Sequence, residues 1–213
     1  MKFSVFDLDR TLLSKNSSFE FCKYLYRKKV FSFFFIVQSC IYYVRHKYLG
    51  MTLEQLHHGV FKKLLRGVHI QVLSDHVSSF IDQELEGLLY FPALERLRKA
   101  QHQGQFTMIL SNSPAFLVSF VASKLKVDDW KASEYKVDKD QKLCQISSIL
   151  NGKDKALWVD KIIQYLKIQK QEVTAYSDSY LDLPFLQSAG VPVVVNPDSR
   201  LRKISKERNW EEI

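Results

Sequence analysis

Glycine and proline are scarce in this chain, with 7 and 5 among 213 residues. No stretch is rich enough in either to serve as a flexible linker, and no internal repeat is visible. Cysteine is scarcer still. Cys22, Cys40 and Cys144 are odd in number and scattered. They form no CxxC pair and no Cys/His zinc spacing, which argues against a disulfide framework and for unpaired thiols in a reducing compartment. Long apolar runs are missing too. The segment Phe31–Val44 has 14 residues, short of the roughly 20 that a spanning helix needs. The amino terminus has acids at positions 7 and 9 and no extended apolar segment, so no signal peptide is expected and the expected location is cytoplasmic.

Acidic residues are outnumbered, 23 against 31 Lys and Arg, and the net charge is +8. From Lys15 to Lys47 there are seven Lys or Arg and one Glu. Such a surface attracts nucleic acid, anionic lipid or a phosphorylated substrate, or is simply a solvated helical face. A nucleic-acid partner is not expected, because no recognition motif accompanies the charge. The remaining composition, 46% hydrophobic and 25% charged, is that of a folded globular protein. The length suits one α/β domain with an insertion, or two small domains.

The opening segment, Phe3 to Leu13, is an apolar run that ends in Asp7-Leu8-Asp9-Arg10-Thr11. Carboxylates at i and i+2 leave the end of a strand on the same side. Such a pair needs a cation or a shared proton, and a hard oxygen site at a strand end suits Mg2+ and phosphate chemistry. The bland alternative is a strand followed by an Asx turn.

Residues 2–7 read as a strand buried on both faces, as in a parallel sheet. From Ser14 to Gly87 the pattern is helical. Ser17-Ser18 with Glu20 is a candidate helix cap, and Thr52 with Gln55 resembles a capping box. Phe31–Val44 reads first as a buried helix of a small bundle. The basic residues Arg27, Lys28, Lys29, Arg45 and Lys47 flank it, so an interfacial helix on an anionic membrane is the alternative for 23–47. After Pro92, helices and strands alternate. The expected order is helix 93–103, strand 106–110, helix 115–125, irregular strands or a hairpin at 133–147, and helix 153–167. Strand 172–177, a short helix at 182–188, strand 191–195 and helix 198–207 follow. This alternation implies a parallel sheet with right-handed crossovers and a ligand crevice at the carboxyl strand ends.

Three of these strands end in polar clusters: Asp7 and Asp9; Ser111 and Asn112; Ser177, Asp178, Ser179 and Asp182. Each alone reads as a cap or a turn. Their coincidence on one edge of a sheet points to a shared site. Lys153 follows Gly152 at a helix start, where the dipole disfavours a cation and an anionic partner would compensate.

The clusters Asp-Leu-Asp-Arg-Thr-Leu, Ile-Leu-Ser-Asn, Gly-Lys-Asp-Lys-Ala-Leu and Tyr-Ser-Asp-Ser-Tyr-Leu-Asp-Leu-Pro, in this order, resemble the haloacid dehalogenase-like (HAD) superfamily of aspartate-nucleophile phosphohydrolases. The helical segment after the first motif looks like the phosphoserine phosphatase-like subgroup. The resemblance implies an α/β fold: a Rossmann-like parallel-sheet core (1–13 and 88–213) with a helical-bundle cap (14–87) inserted after the first strand. It implies a Mg2+-dependent phosphatase that passes through an aspartyl-phosphate and acts on a small phosphorylated metabolite. Asp7 is then the nucleophile and Asp9 the general acid and base. Asp7, the Asp9 carbonyl and Asp178 hold Mg2+. Thr11, Ser111 and Asn112 contact the substrate, and Asp182 supports from behind. Lys153, preferred over Lys155 because apolar Leu157 lies four residues on, neutralises the phosphoryl charge. Two departures concern the substrate. By spacing, Asn16 stands where phosphoserine phosphatases carry a glutamate, and Phe61 where they carry an arginine. Arg10 replaces the usual small or polar residue.

Overall fold

A computed structural model describes residues 2–213; Met1, the first residue of the expected 1–13 segment, and the side chain of Lys47 lie outside the described residues. Strand β1 (Phe3–Phe6) is buried throughout. Four helices follow: α1 (Ser17–Arg27), α2 (Phe33–Tyr48), α3 (Leu53–Val60), which runs into a π-helical turn (Phe61–Leu65), and α4 (Ile70–Leu88). Then come α5 (Phe91–His102), β2 (Phe106–Pro114), α6 (Ala115–Leu125), β3 (Asp129–Val137), β4 (Leu143–Ser148) and α7 (Gly152–Leu166). The chain ends with β5 (Val173–Ser177), a 3₁₀ turn (Tyr180–Asp182), α8 (Leu183–Ser188), β6 (Val191–Val194), α9 (Ser199–Glu207) and β7 (Glu211–Glu212).

Among the described residues the seven strands form one sheet in the order β4-β3-β2-β1-β5-β6-β7. All pairs are parallel except β3 with β4. Period-two alternation splits β1 between two cores. Phe3 and Val5 join Met108, Leu110, Val159, Phe185 and Leu201 on one side. Phe6 faces the other side, where Phe21, Tyr24 and Phe80 of the helical segment meet Leu117, Val121 and Leu125 of α6. Both faces of the sheet are therefore covered, as continuous apolar strands require.

The helical segment leaves and rejoins the sheet at one place. Ser14 N–H donates to the Leu88 carbonyl at 2.7 Å, and Tyr90 N–H to that of Leu12 at 2.9 Å. The local signals hold with small shifts. Thr52 and Gln55 form the capping box of α3. The cap of α1 is Asn16, one residue before the expected Ser17-Ser18, and its side chain accepts from Phe19 N–H. Strand β2 runs four residues past the expected end, through Ser111-Asn112-Ser113-Pro114. That expectation treated the tetrapeptide as a helix cap; Ser133 holds it in the sheet instead by donating to the Asn112 carbonyl at 2.7 Å. No helix among the described residues is long and apolar enough to cross a membrane.

Candidate active site

Register brings the polar clusters together. Phe6 is level with Ile109 of β2 and Tyr176 of β5. The residues just beyond, Asp7, Ser111 and the Ser177-Asp178 pair, therefore emerge on one edge. The Asp7 N–H still donates to the Tyr176 carbonyl, at 2.9 Å. The chain leaves β1 for β2 on one side and later places β5 on the other, so this edge is the topological switch point where a crevice forms.

Lysine 155 occupies the centre. Its Nζ lies 2.6 Å from Asp7 Oδ1 and 2.7 Å from Asp182 Oδ2, and its side chain is 1% exposed. Ser177 Oγ adds a bond to the same Asp182 oxygen at 2.8 Å. Lys153, the residue preferred from sequence, does not reach the site: it is exposed, as is Leu157 four residues on. The reason is helical phase. Gly152, Lys155, Val159 and Ile162 form the buried face of α7, and residues 153 and 157 fall on the solvent side. Asn151 caps this helix by accepting from the N–H groups of Lys153 and Asp154. Gly152 is obligatory for packing, because a Cβ there would meet the Leu181 carbonyl oxygen at 2.2 Å. Its absence lets the first turn of α7 rest on the loop carrying Asp182, one turn below Lys155. Spacing alone does not separate the two lysines, since apolar Leu157 follows Lys153 and apolar Val159 follows Lys155 four residues on.

Thr11, expected to touch substrate, is fully buried beside the acids. Its hydroxyl lies 3.4 Å from both Asp7 Oδ2 and Asp178 Oδ1, which shows that these two carboxylates converge. Two buried acids, Asp7 and Asp182, and the half-buried Asp178 thus face one lysine. Burial pushes the Asp7 carboxyl up against the pull of Lys155, with Asp182 and Asp9 adding to the rise, to about 7. Burial, then Asp7 and Asp182, hold Asp178 well above the usual carboxylate range. Burial also opposes the Lys155 ammonium, but Asp182 and Asp7 outweigh it and keep it above its ordinary range. The loop bearing Asp178 is pinned by Asp198, whose N–H donates to the Asp178 carbonyl at 2.9 Å and whose Oδ2 accepts from Tyr180 N–H at 2.7 Å.

Asp9 sits at the start of α1. Its carboxylate accepts from Ser17 N–H at 2.6 Å, Ser113 Oγ at 2.6 Å and Asn16 Nδ2 at 3.1 Å. Ser113 was not singled out from sequence. Its place two residues after Ser111, on the same face of the extended β2, was the signal. Ser111 is fully buried, and its hydroxyl accepts from Ser113 N–H at 3.1 Å. Arg10 adopts a left-handed φ of 62°, a conformation that Gly, Asn or Asp adopts more readily. Its guanidinium donates to the Tyr43 hydroxyl of α2 and acts electrostatically on Asp178 and Asp9. Phe61 is buried against Tyr135, with ring centroids 5.5 Å apart.

The profile of haloacid dehalogenase-like hydrolases matches residues 4–187. The chain is 26% identical over 210 residues to the inhibition of morphological differentiation protein of Streptomyces azureus, covering 96% of this chain and 75% of the relative. It is 25% identical to phosphoserine phosphatase SerB1 of Mycobacterium tuberculosis over 210 residues, covering 97% of this chain and 68% of that one. Among solved structures, a protein of unknown function from Bordetella pertussis Tohama I superposes with a TM-score of 0.86 at 20% identity, over 100% of this chain and 98% of its own. A substrate-bound phosphoserine phosphatase complex gives 0.72 at 17% identity, over 95% and 89%. Both share this chain's fold.

Proposed function

The chain belongs to the haloacid dehalogenase-like hydrolases, and from that membership we propose that it is a Mg2+-dependent phosphomonoesterase working through an aspartyl-phosphate at Asp7. The observation that carries this reading is the buried Asp7–Lys155–Asp182 chain, with contacts of 2.6 and 2.7 Å. It fixes one carboxylate at a strand end beside a cation, which is what attack on an anionic phosphoryl group requires. A relative named phosphoserine phosphatase supports the reaction class.

In this reading Asp7 attacks phosphorus through one carboxylate oxygen as the bond to the leaving oxygen breaks. Asp9 supplies the proton to that oxygen and later takes one from the water that attacks the phosphorus of the acyl phosphate. Asp9 must move off Ser113 and the start of α1 to do so. Lys155 offsets the charge on the phosphoryl oxygens and on Asp7, and Asp182 orients Lys155. Ser111 and Asn112 offer hydrogen bonds at the end of β2. We read residues 14–87 as a cap over a core formed by 1–13 and 88–213.

The donor set suits Mg2+. Asp7 and Asp178 converge on the Thr11 hydroxyl, and one lysine against buried Asp7 and Asp182 and half-buried Asp178 leaves a negative excess for a divalent ion to balance. Among the described residues no three acidic, histidine or cysteine side chains cluster as ligands. The expected set is two carboxylates and the Asp9 carbonyl, and Mg2+ commonly keeps several waters in such sites. Bound there, the ion would screen the phosphate from Asp7.

The substrate we infer is a small phosphorylated metabolite other than phosphoserine. Asn16 is committed to capping α1 and to Asp9, and Phe61 is buried in the core. A substrate ammonium and carboxylate would find no partners at these positions, at a cost of several kcal/mol. Release of phosphate from an aryl phosphate should require Mg2+, cease on chelation and return on resupply. A panel of phosphorylated metabolites should give one compound far above phosphoserine. Mg2+-independent turnover, or phosphoserine at the head of the panel, contradicts this reading.

A further inference from the structure

Helix α2 is apolar around most of its circumference, yet it lies at the surface. Its inner side is occupied. Phe35 stacks on Phe31 with centroids 4.3 Å apart. Tyr42 fills the space beside Gly59 of α3, where a Cβ would meet the ring at 2.4 Å. Tyr43 accepts from Arg10 at the catalytic edge. The outer side carries Phe34, Val37, Ile41, Val44 and Tyr48, which are between 37% and 68% exposed. Their spacing alternates between three and four, so at about 100° per residue they share one arc of the helix. Phe33 and Leu49 extend the arc, at 64% and 72% exposed. Tyr26, at the end of α1, continues it through a ring contact with Phe33 at 6.0 Å. A contiguous apolar surface of this kind marks an interface.

Charge selects the partner. No Asp or Glu occurs between Glu20 and Glu54, whereas Lys23, Arg27, Lys28, Lys29, Arg45 and Lys47 all fall in that interval. Lys23 and Arg27 are paired, with Glu20 and Glu84. Lys28, Lys29 and Arg45 form no salt bridge among the described residues and are exposed. Arg45 lies one turn from Ile41, at the edge of the arc, and Lys28 and Lys29 lie in the connection leading into α2. Packing α2 against a second copy of itself would set one cationic rim against another, since a two-fold interface is made of the same patch twice. An anionic bilayer meets both the apolar arc and its cations. With 16 residues, α2 is too short to cross a bilayer but suits one lying in the plane of the headgroups.

We propose that the outer face of α2 docks this protein on anionic membrane surfaces. Tyr43, on the opposite side of the same helix, then places the catalytic mouth one helix away from the lipid. The docking itself does not depend on the phosphatase reading.

Flotation with phosphatidylcholine vesicles, with and without phosphatidylglycerol, tests the proposal. The protein should float with the anionic vesicles at low salt, less at high salt, and little with phosphatidylcholine alone. Phe34→Ser/Ile41→Ser/Val44→Ser, all at exposed positions, should lower vesicle binding about tenfold or more. This variant should keep its circular dichroism and its hydrolysis of a soluble aryl phosphate. Lys28→Gln/Arg45→Gln should weaken binding to anionic vesicles only. Absence of flotation with anionic vesicles at low salt overturns the proposal, as does equal flotation of the triple serine variant. Light scattering that shows a dimer, dissociated by the serine substitutions without vesicle binding, assigns the face to a second copy and also overturns it. Loss of aryl phosphate hydrolysis in the wild type with flotation intact would count against the phosphatase reading alone.

Discussion

Lysine 155 bonds to two buried acids and Lys153, among the described residues, to none, so the two lysines should separate cleanly on substitution. Lys155→Ala removes the cation beside Asp7 and should lower kcat by about 10²–10³-fold. It also strands two buried carboxylates, for a loss of about 3 kcal/mol in chemical denaturation. Lys153→Ala should leave both kcat and stability near wild type. Ser113 acts on Asp9 alone among the acids, through a 2.6 Å bond. Because Asp9 must leave this bond to act in the proposed step, Ser113→Ala should raise kcat rather than lower it and change KM less, while Ser113→Thr, which keeps the hydroxyl, should stay near wild type. The acids of the site were legible from their positions at strand ends. The lysine was not, because a two-residue difference on a helix is decided by which face packs, and the packing partner, the Leu181 carbonyl, lies 29 positions further along the chain.

Helix α7 shows how one small residue sets the position of an element. A Cβ at Gly152 would approach the Leu181 carbonyl oxygen to 2.2 Å and the Asp182 Cα to 3.1 Å, both backbone atoms. Gly152→Ala must push the helix off the loop, and overpacking of this kind costs about 1–3 kcal/mol. Because Lys155 rides on the same face, the variant should also lose activity beyond its loss of stability, measured as kcat at a temperature where it is fully folded. Strand β2 makes a related point. Ser111-Asn112-Ser113-Pro114 has the composition of a helix cap, but tertiary hydrogen bonds from Ser133 and to Asp9 keep it extended. Most element types follow from local pattern, β7 (Glu211–Glu212) excepted. Boundaries and faces do not where a distant group decides them.

At the scale of the whole molecule, the helical segment and the sheet meet through more than apolar contact. His57 of α3 lies 3.2 Å from the Tyr135 hydroxyl of β3. Burial, with His46 and His58 nearby, lowers its pKa from 6.5 to about 4. The folded protein therefore holds His57 neutral where the unfolded chain would protonate it. The associated stability is complete above pH 6.5 and is lost as pH falls towards about 4, a change on the order of 3 kcal/mol. His57→Gln should flatten that part of the stability–pH curve measured in urea. The alternation of strands and helices after residue 88 announced the parallel sheet, and the helical pattern between 14 and 87 announced helices α1 to α4. The outward face of α2 was not legible, because its sequence is apolar on both sides and only the fold shows which side is covered. In the function we propose, β1, β2, α7 and β5 jointly make Asp7 a nucleophile. Acid quenching during turnover of an aryl phosphate, followed by mass analysis of the peptide containing Asp7, tests this directly. The account predicts a phosphoryl adduct on Asp7 in the wild type, and neither adduct nor turnover in Asp7→Asn. An adduct on another residue, or wild-type turnover in Asp7→Asn, would contradict it.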